Sequence, residues 1–158
     1  METQTAAADR LKVTRRFRAS RQRVFRAWTE PELMMRWFVE GDGDMTVCEI
    51  DLRVGGSYRL EGDFGGWRWR IWGSYLEVKP PERLVYTWSW KHDPGKGTPE
   101  GDTTVTVEFH DRGAETELVL THERFASVAA RDEHTQGWNA CLDRLEKAVA
   151  GPEERRTS

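Results

Sequence analysis

The spacing of apolar residues along the chain changes once, near residue 127. Before that point apolar and polar residues alternate in short segments separated by Gly, Pro and Asp, which is typical of antiparallel strands joined by turns. From there to Ala150 apolar residues recur every three to four positions, which predicts one long amphipathic helix. A sheet built of hairpins must have one face covered, and this helix is the predicted element long enough to cover it. The pattern therefore predicts an α+β domain in which a curved antiparallel sheet packs on a C-terminal helix.

The predicted elements follow in the order strand, two short helices, six strands and the long helix. The first strand extends from Leu11 to about Arg18, Ser20 caps the first short helix, and Thr29 begins a capping box for the second. The other strands form three hairpins at residues 46–52, 58–60, 67–78, 84–90, 103–109 and 115–122. Together with the first strand, the sequence predicts about seven strands. Residues 1–10 and 151–158 are predicted to be flexible tails, which leaves one domain over residues 11–150.

The overall composition excludes several classes of protein. The formal net charge is −3 and the cations are interspersed with acids, so nucleic acid is not an expected partner. The sequence contains neither a signal peptide nor an apolar run long enough to span a membrane, which predicts a cytoplasmic protein. Cys48 and Cys141 are interpreted as reduced thiols, with Cys141 a small packing residue.

Aromatic residues are the unusual component, with eight tryptophans in 158 residues. Trp67 and Trp69 share one face of their strand, and Tyr86, Trp88 and Trp90 share one face of the next, so together they would form an aromatic wall. Such a wall suits a planar apolar ligand in a pocket under the helix. The alternative interpretation is ordinary core packing with some exposed indoles.

The second short helix carries a larger apolar side than a minor helix needs. Its members are Met34, Met35, Trp37 and Phe38. We expect them to border the pocket entrance as an adaptable lid, because methionine side chains adjust to different ligands.

Two histidines are the candidates for proton transfer. His122 ends a strand, and His134 lies on the side of the long helix that carries Trp138 and Cys141, so the four side chains are expected in the pocket. The histidines would act as acid and base, or they would donate and accept hydrogen bonds to a ligand or the backbone. Their spacing matches no metal motif, and the sequence has no nucleotide fingerprint or serine elbow, so neither a metal nor a cofactor is predicted.

Several stretches of this chain carry a family resemblance. They are VFRAWTEPEL (24–33) with Trp37-Phe38, DLRVGGSY (51–58), GSYLEV (73–78), PERL (81–84), TEL (116–118), and His134 with Gly137-Trp138. The chain resembles the AHSA-type family (activator of heat-shock ATPase homologue) of the SRPBCC, START-like or Bet v 1-like superfamily. The resemblance implies a helix-grip fold with a hydrophobic cavity between sheet and helix.

Three functions are compatible with such a fold, so function has to be argued from the site. The leading hypothesis is binding or sequestration of a small hydrophobic molecule, aromatic or polyketide- or lipid-like. The second is a cavity-based cyclase, dehydratase or hydrolase that uses His122 and His134. The third is a module that interacts with a chaperone. The sequence leaves homodimer formation open.

Overall fold

A curved antiparallel sheet grips one long helix in the computed structural model, which describes residues 3–7, 9–38, 44–93 and 103–150. In chain order the elements are β1 (Thr3–Ala7), β2 (Arg10–Phe17), α1 (Arg21–Thr29), α2 (Pro31–Met34), β3 (Asp44–Ile50), β4 (Ser57–Phe64), β5 (Trp67–Lys79), β6 (Arg83–Asp93), β7 (Thr103–Arg112), β8 (Glu115–Glu123) and α3 (Val128–Ala150).

Within the described residues the sheet has eight strands, in the order β1-β2-β8-β7-β6-β5-β4-β3. Each pair of neighbouring strands is antiparallel. The second strand of the chain, β2, lies beside the last one, β8. Apolar side chains alternate along the central strands, and their inner face packs on α3. The predicted α+β helix-grip fold, with a long C-terminal helix and two short helices after the strand that begins near Leu11, is confirmed.

The first strand corrects one part of the sequence interpretation. Residues 1–10 were expected to form a flexible tail, but Thr3–Ala7 pairs along β2, with Thr3 opposite Thr14 and Ala7 opposite Arg10. The sequence of this segment shows no apolar alternation that would predict a strand. An edge strand does not need one, because backbone hydrogen bonds alone can hold it. The predicted tail at 151–158 lies outside the described residues.

The two short helices begin differently from each other. Ser20 caps α1 as predicted, since its hydroxyl accepts a hydrogen bond from the Arg23 amide at 3.3 Å. The capping box at Thr29 is wrong: Thr29 is the last residue of α1, and its hydroxyl donates to the Phe25 carbonyl at 2.9 Å. Glu30 occupies the cap position of α2 without a side-chain bond, and α2 is only four residues long.

A buried arginine holds α3 on the sheet. The side chain of Arg15 on β2 is 5% exposed, and its guanidinium lies 2.9 Å from the Asp143 carboxylate of α3. It also donates to the backbone carbonyl of Asn139 at 3.3 Å. Both contacts fix the helix over the inner face, where its apolar side meets the aromatic interior.

Candidate functional site

Aromatic rings fill the space between the sheet and the helices. Trp28 of α1 lies 4.7 Å from Trp37 and 6.0 Å from Trp138 of α3, measured between ring centroids. Trp88 of β6 lies 5.1 Å from Trp138, and Phe38 lies 6.1 Å from Trp88. All five side chains are buried. The rings therefore form one continuous cluster that connects both short-helix segments, the sheet and α3.

One recess enters this cluster beside α1 and α2. Its described lining consists of Trp28, Met34, Phe38, Ile50, Tyr58, Leu60, Tyr75, Tyr86 and Trp88. The cavity itself measures about 10 Å³, and all the atom-free space, open solvent included, is about 290 Å³. The cavity has room for about one water molecule, whereas pockets for drug-sized ligands measure roughly 300–1,000 Å³. In this conformation the protein's own rings therefore occupy most of the recess.

Three tyrosines form one side of the recess. The ring of Tyr58 lies 5.7 Å from that of Tyr75 and 5.3 Å from that of Tyr86. The Tyr58 hydroxyl donates to the Thr87 carbonyl at 2.6 Å, and the Tyr86 hydroxyl accepts from the Trp28 indole at 3.1 Å. Burial raises the pKa of Tyr58 and of Tyr86 well above the usual value for a phenol, so both hydroxyls stay protonated and neutral.

His122 lies at the centre of a directional chain of hydrogen bonds. The Trp138 indole N–H, which can only donate, meets His122 Nδ1 at 3.1 Å. Nδ1 is therefore the acceptor, and the proton of the neutral ring is on Nε2, which donates to the Thr103 hydroxyl at 3.1 Å. That hydroxyl donates in turn to the Trp88 carbonyl. Every polar atom in this chain has a partner.

His134 is held by a second pair of bonds. The Trp88 indole donates to His134 Nε2 at 3.2 Å, so the ring proton is on Nδ1, which donates to the Ala130 carbonyl of the same helix at 2.9 Å. The rings of His122 and His134 lie 5.2 Å apart. The expectation that these two histidines approach each other agrees with this geometry.

The electrostatics of His122 favour a neutral ring. The residue has no solvent exposure, and burial lowers its pKa well below 6.5, with His134 adding to the effect. Because each ring nitrogen of both histidines already contacts a protein group, a substrate would have to break one of these bonds to exchange a proton with them.

Within the described residues, four buried indole N–H groups of this cluster have an acceptor, and that of Trp69 has none. Trp37 donates to the Ala27 carbonyl at 2.9 Å, as Trp28, Trp88 and Trp138 donate to the partners given above. Trp69 of β5 is 1% exposed, and its buried Nε1 has no hydrogen-bond partner among the described residues.

The structure divides the predicted ligand-binding residues into two groups. Four of them line the recess: Met34, Phe38, Tyr86 and Trp88. Six others lie in the aromatic and histidine cluster around it: Trp37, Trp69, Trp90, His122, His134 and Trp138. Cys141 of α3 is buried in the core. The side chain of Trp67 is outside the described part. Of the predicted lid, Met35 is 41% exposed, whereas Trp37 is fully buried.

Sequence reasoning missed five residues of the recess. They are Trp28, Ile50, Tyr58, Leu60 and Tyr75. Tyr58 and Leu60 alternate on β4, and Leu60 pairs with Ile71 of the aromatic strand β5, so the sheet register would have indicated both. Tyr75 adjoins a β-bulge between Tyr75 and Glu77. The bulge interrupts the alternation from which the side of the sheet that each residue faces is predicted.

Within the described ranges, no group of three or more His, Cys, Asp or Glu side chains comes together as metal ligands would. In that same part of the chain, no helix has both the length and the apolar character needed to cross a bilayer.

A curved sheet that grips a C-terminal helix and encloses aromatic side chains defines the class of helix-grip α+β domains. The chain belongs to the family described as Activator of Hsp90 ATPase homolog 1-like protein, whose model matches residues 18–150.

Solved structures show the same fold. A Chromobacterium violaceum protein is 25% identical, with 91% of this chain and 99% of that one covered and a TM-score of 0.78. A Rhodobacter sphaeroides protein is also 25% identical, with 95% and 98% covered and a TM-score of 0.78. CalU16 from Micromonospora echinospora is 27% identical, with 95% and 84% covered and a TM-score of 0.65. No curated protein matches the chain significantly in sequence.

Proposed function

We propose that this protein binds a small, planar, apolar molecule in the recess beside α1 and α2 and holds it without changing it chemically. The observation that carries the proposal is the lining, in which every described residue is aromatic or aliphatic. Helix-grip domains of this family generally bind hydrophobic ligands, which agrees with such a lining. A flat aromatic molecule would replace contacts between rings with equivalent stacked or edge-to-face contacts.

Binding requires the recess to enlarge, and the segment around α2 is suited to this. The helix is four residues long, and so short a helix has little stability of its own. Met34 and Phe38 project from this segment into the recess. Methionine adapts to different shapes at low cost, and displacement of the Phe38 ring would add its own volume to the cavity. We infer that these two side chains move aside when a ligand enters.

Binding is favoured over a reaction because the candidate acid–base groups are already occupied. Both ring nitrogens of His122 and of His134 are engaged with protein groups. Neither histidine lies in the described lining of the recess.

The test uses indane, a small planar hydrocarbon, as the probe. Trp28 and Trp88 line the recess, so a bound probe should change tryptophan fluorescence, and titration gives an affinity. Native mass spectrometry beside a denatured control reports the stoichiometry and any molecule that copurifies. Ile50→Phe adds bulk at a half-buried position of the lining and should weaken binding of indane at least tenfold.

Leu52→Phe is the matched control, because Leu52 is 36% exposed and lies two residues away, outside the recess. It should bind indane as the unmodified protein does. The proposal is wrong if the unmodified protein does not bind indane, or if Ile50→Phe and Leu52→Phe bind it equally well.

A further inference from the structure

Among the described residues, none accepts a hydrogen bond from the buried indole N–H of Trp69. Trp28, Trp37, Trp88 and Trp138 are equally buried, and each donates its indole N–H to a protein group. Nε1 of Trp69 has no such partner in the described part of the chain. An unmet buried donor destabilises the folded protein, and native proteins contain few of them.

The ring of Trp69 lies beside residues that line the recess. Trp69 is opposite Gly62 of β4, and a Cβ at Gly62 would lie 2.5 Å from Cζ2 of the indole, so the ring crosses the space that a side chain would take. Leu60, two residues along β4 on the same face, lines the recess. Phe38 also lines the recess, and its ring lies 6.2 Å from that of Trp69. Phe38 thus contacts both the recess and the indole of Trp69.

We propose that Trp69 Nε1 donates a hydrogen bond to a neutral oxygen of the ligand, which makes the ligand an aromatic ketone or a related carbonyl compound. This inference rests on the function proposed above and specifies the ligand class of the same site. When Phe38 moves aside, a planar ligand fills its place, and a carbonyl on the edge of that ligand meets the indole N–H. The N–H can only donate, so the ligand must supply an acceptor.

The charge of the site restricts the acceptor to an uncharged group. No Arg, Lys or His side chain is among the described lining residues. A carboxylate or a phosphate would lose its hydration there without gaining a counter-charge, which is unfavourable. Removing a neutral ketone oxygen from water costs much less free energy than removing a charged group. The hydrogen bond from Trp69 replaces the one that the ketone loses to water.

The test compares 1-indanone with indane, which differ in one carbonyl group. Affinities for both probes are measured by fluorescence titration in the unmodified protein and in Trp69→Phe, which keeps a ring and removes the N–H. The ratio of 1-indanone affinity to indane affinity should fall at least fivefold in Trp69→Phe, because a neutral hydrogen bond contributes about 1 kcal/mol. Trp72→Phe, the same change on the opposite face of β5, should leave the ratio unchanged.

A second measurement needs no variant. In protein labelled with ¹⁵N at tryptophan, the indole N–H resonance of Trp69, assigned through its contacts with Phe38, should move downfield with 1-indanone and much less with indane. If both proteins give the same affinity ratio and the resonance responds equally to both probes, the role of Trp69 is wrong, although indane binding would still support the proposed function. Failure of both probes to bind would overturn the function and this inference together.

Discussion

Trp138 of α3 donates its indole N–H to Nδ1 of His122 on β8, 3.1 Å away. His122 Nε2 donates to the Thr103 hydroxyl of β7, and that hydroxyl donates to the Trp88 carbonyl of β6. One chain of hydrogen bonds therefore ties the long helix to three neighbouring strands. Because the chain is buried and each member has a single role, removal of one donor leaves an acceptor unmet.

Trp138→Phe tests this chain directly. The change keeps an aromatic ring in the cluster but leaves His122 Nδ1 without a donor in a site that has no solvent exposure. We expect the free energy of unfolding to fall by about 2–4 kcal/mol, from the unmet acceptor together with the smaller ring. Urea denaturation followed by far-UV circular dichroism measures the loss. Trp72→Phe, at a half-buried position, should lose clearly less, and equal losses would contradict the role given to the hydrogen bond.

The neutral state of His122 predicts a dependence of stability on pH. Burial lowers the pKa of this imidazole well below 6.5 in the folded protein, whereas in the unfolded chain it stays near that value. As the pH falls below about 6.5 the unfolded chain takes up a proton at His122 and the folded protein does not, so stability decreases. The contribution of this one group approaches, at most, about 1.4 kcal/mol per pH unit.

His122→Gln isolates this contribution, because the amide can accept and donate as the imidazole does without titrating. The free energy of unfolding at pH 7 minus that at pH 5, measured in urea, should be smaller in His122→Gln than in the unmodified protein. His110→Gln, the same substitution at a residue that is 42% exposed on β7, is measured beside it for comparison. A slope that is unchanged by His122→Gln would show that the imidazole titrates normally.

Arg15 and Asp143 should respond unequally to substitution. The Arg15 side chain is 5% exposed and that of Asp143 is 67% exposed, although their atoms are 2.9 Å apart. Asp143→Asn leaves the buried guanidinium with the more distant Glu146 carboxylate, 3.9 Å away, and should cost about 1–2 kcal/mol of unfolding free energy. Arg15→Met removes the buried charge and keeps the packing of its stem, so it should cost less than Asp143→Asn.

Glu133→Gln is the control for this pair, because Glu133 is exposed on the same helix and should change stability by less than about 0.5 kcal/mol. Denaturation curves of the three variants decide the order. If Asp143→Asn behaves like Glu133→Gln, the ion pair contributes no more than an ordinary surface contact.

The order of elements was predictable because it is encoded locally. Period-2 and period-3.6 spacing, the Ser20 cap and the turn at Gly55-Gly56 are all properties of neighbouring residues. The pair formed by Asp51 and Arg53 in that turn, 2.9 Å apart, was predictable for the same reason. Strand β1 was not, because its pairing depends on the backbone of a neighbour and not on its own apolar pattern.

The site was predictable only in part because its residues come from distant elements. The aromatic faces of Tyr86 and Trp88 follow from alternation along one strand. The volume left among the rings does not follow from any local pattern. It is a small difference between the large volume enclosed by the fold and the volume that the side chains fill. The unmet donor of Trp69 is equally invisible in sequence, since it is apparent only when the partners of the other indoles are known.

Two glycines should respond oppositely when they are changed to alanine. Gly137 lies inside α3, and a Cβ there would meet nothing within 4 Å. Gly137→Ala should raise the free energy of unfolding by about 0.5–1 kcal/mol, because alanine restricts the unfolded chain and favours the helix. Gly56→Ala should lower it by about 1–3 kcal/mol, because the Cβ would lie 2.1 Å from the Asp51 carbonyl oxygen and the turn would have to shift. Thermal unfolding of both variants beside the unmodified protein measures the two changes. A loss of stability in Gly137→Ala would mean that α3 needs the freedom of glycine at its centre, for example to bend over the aromatic cluster.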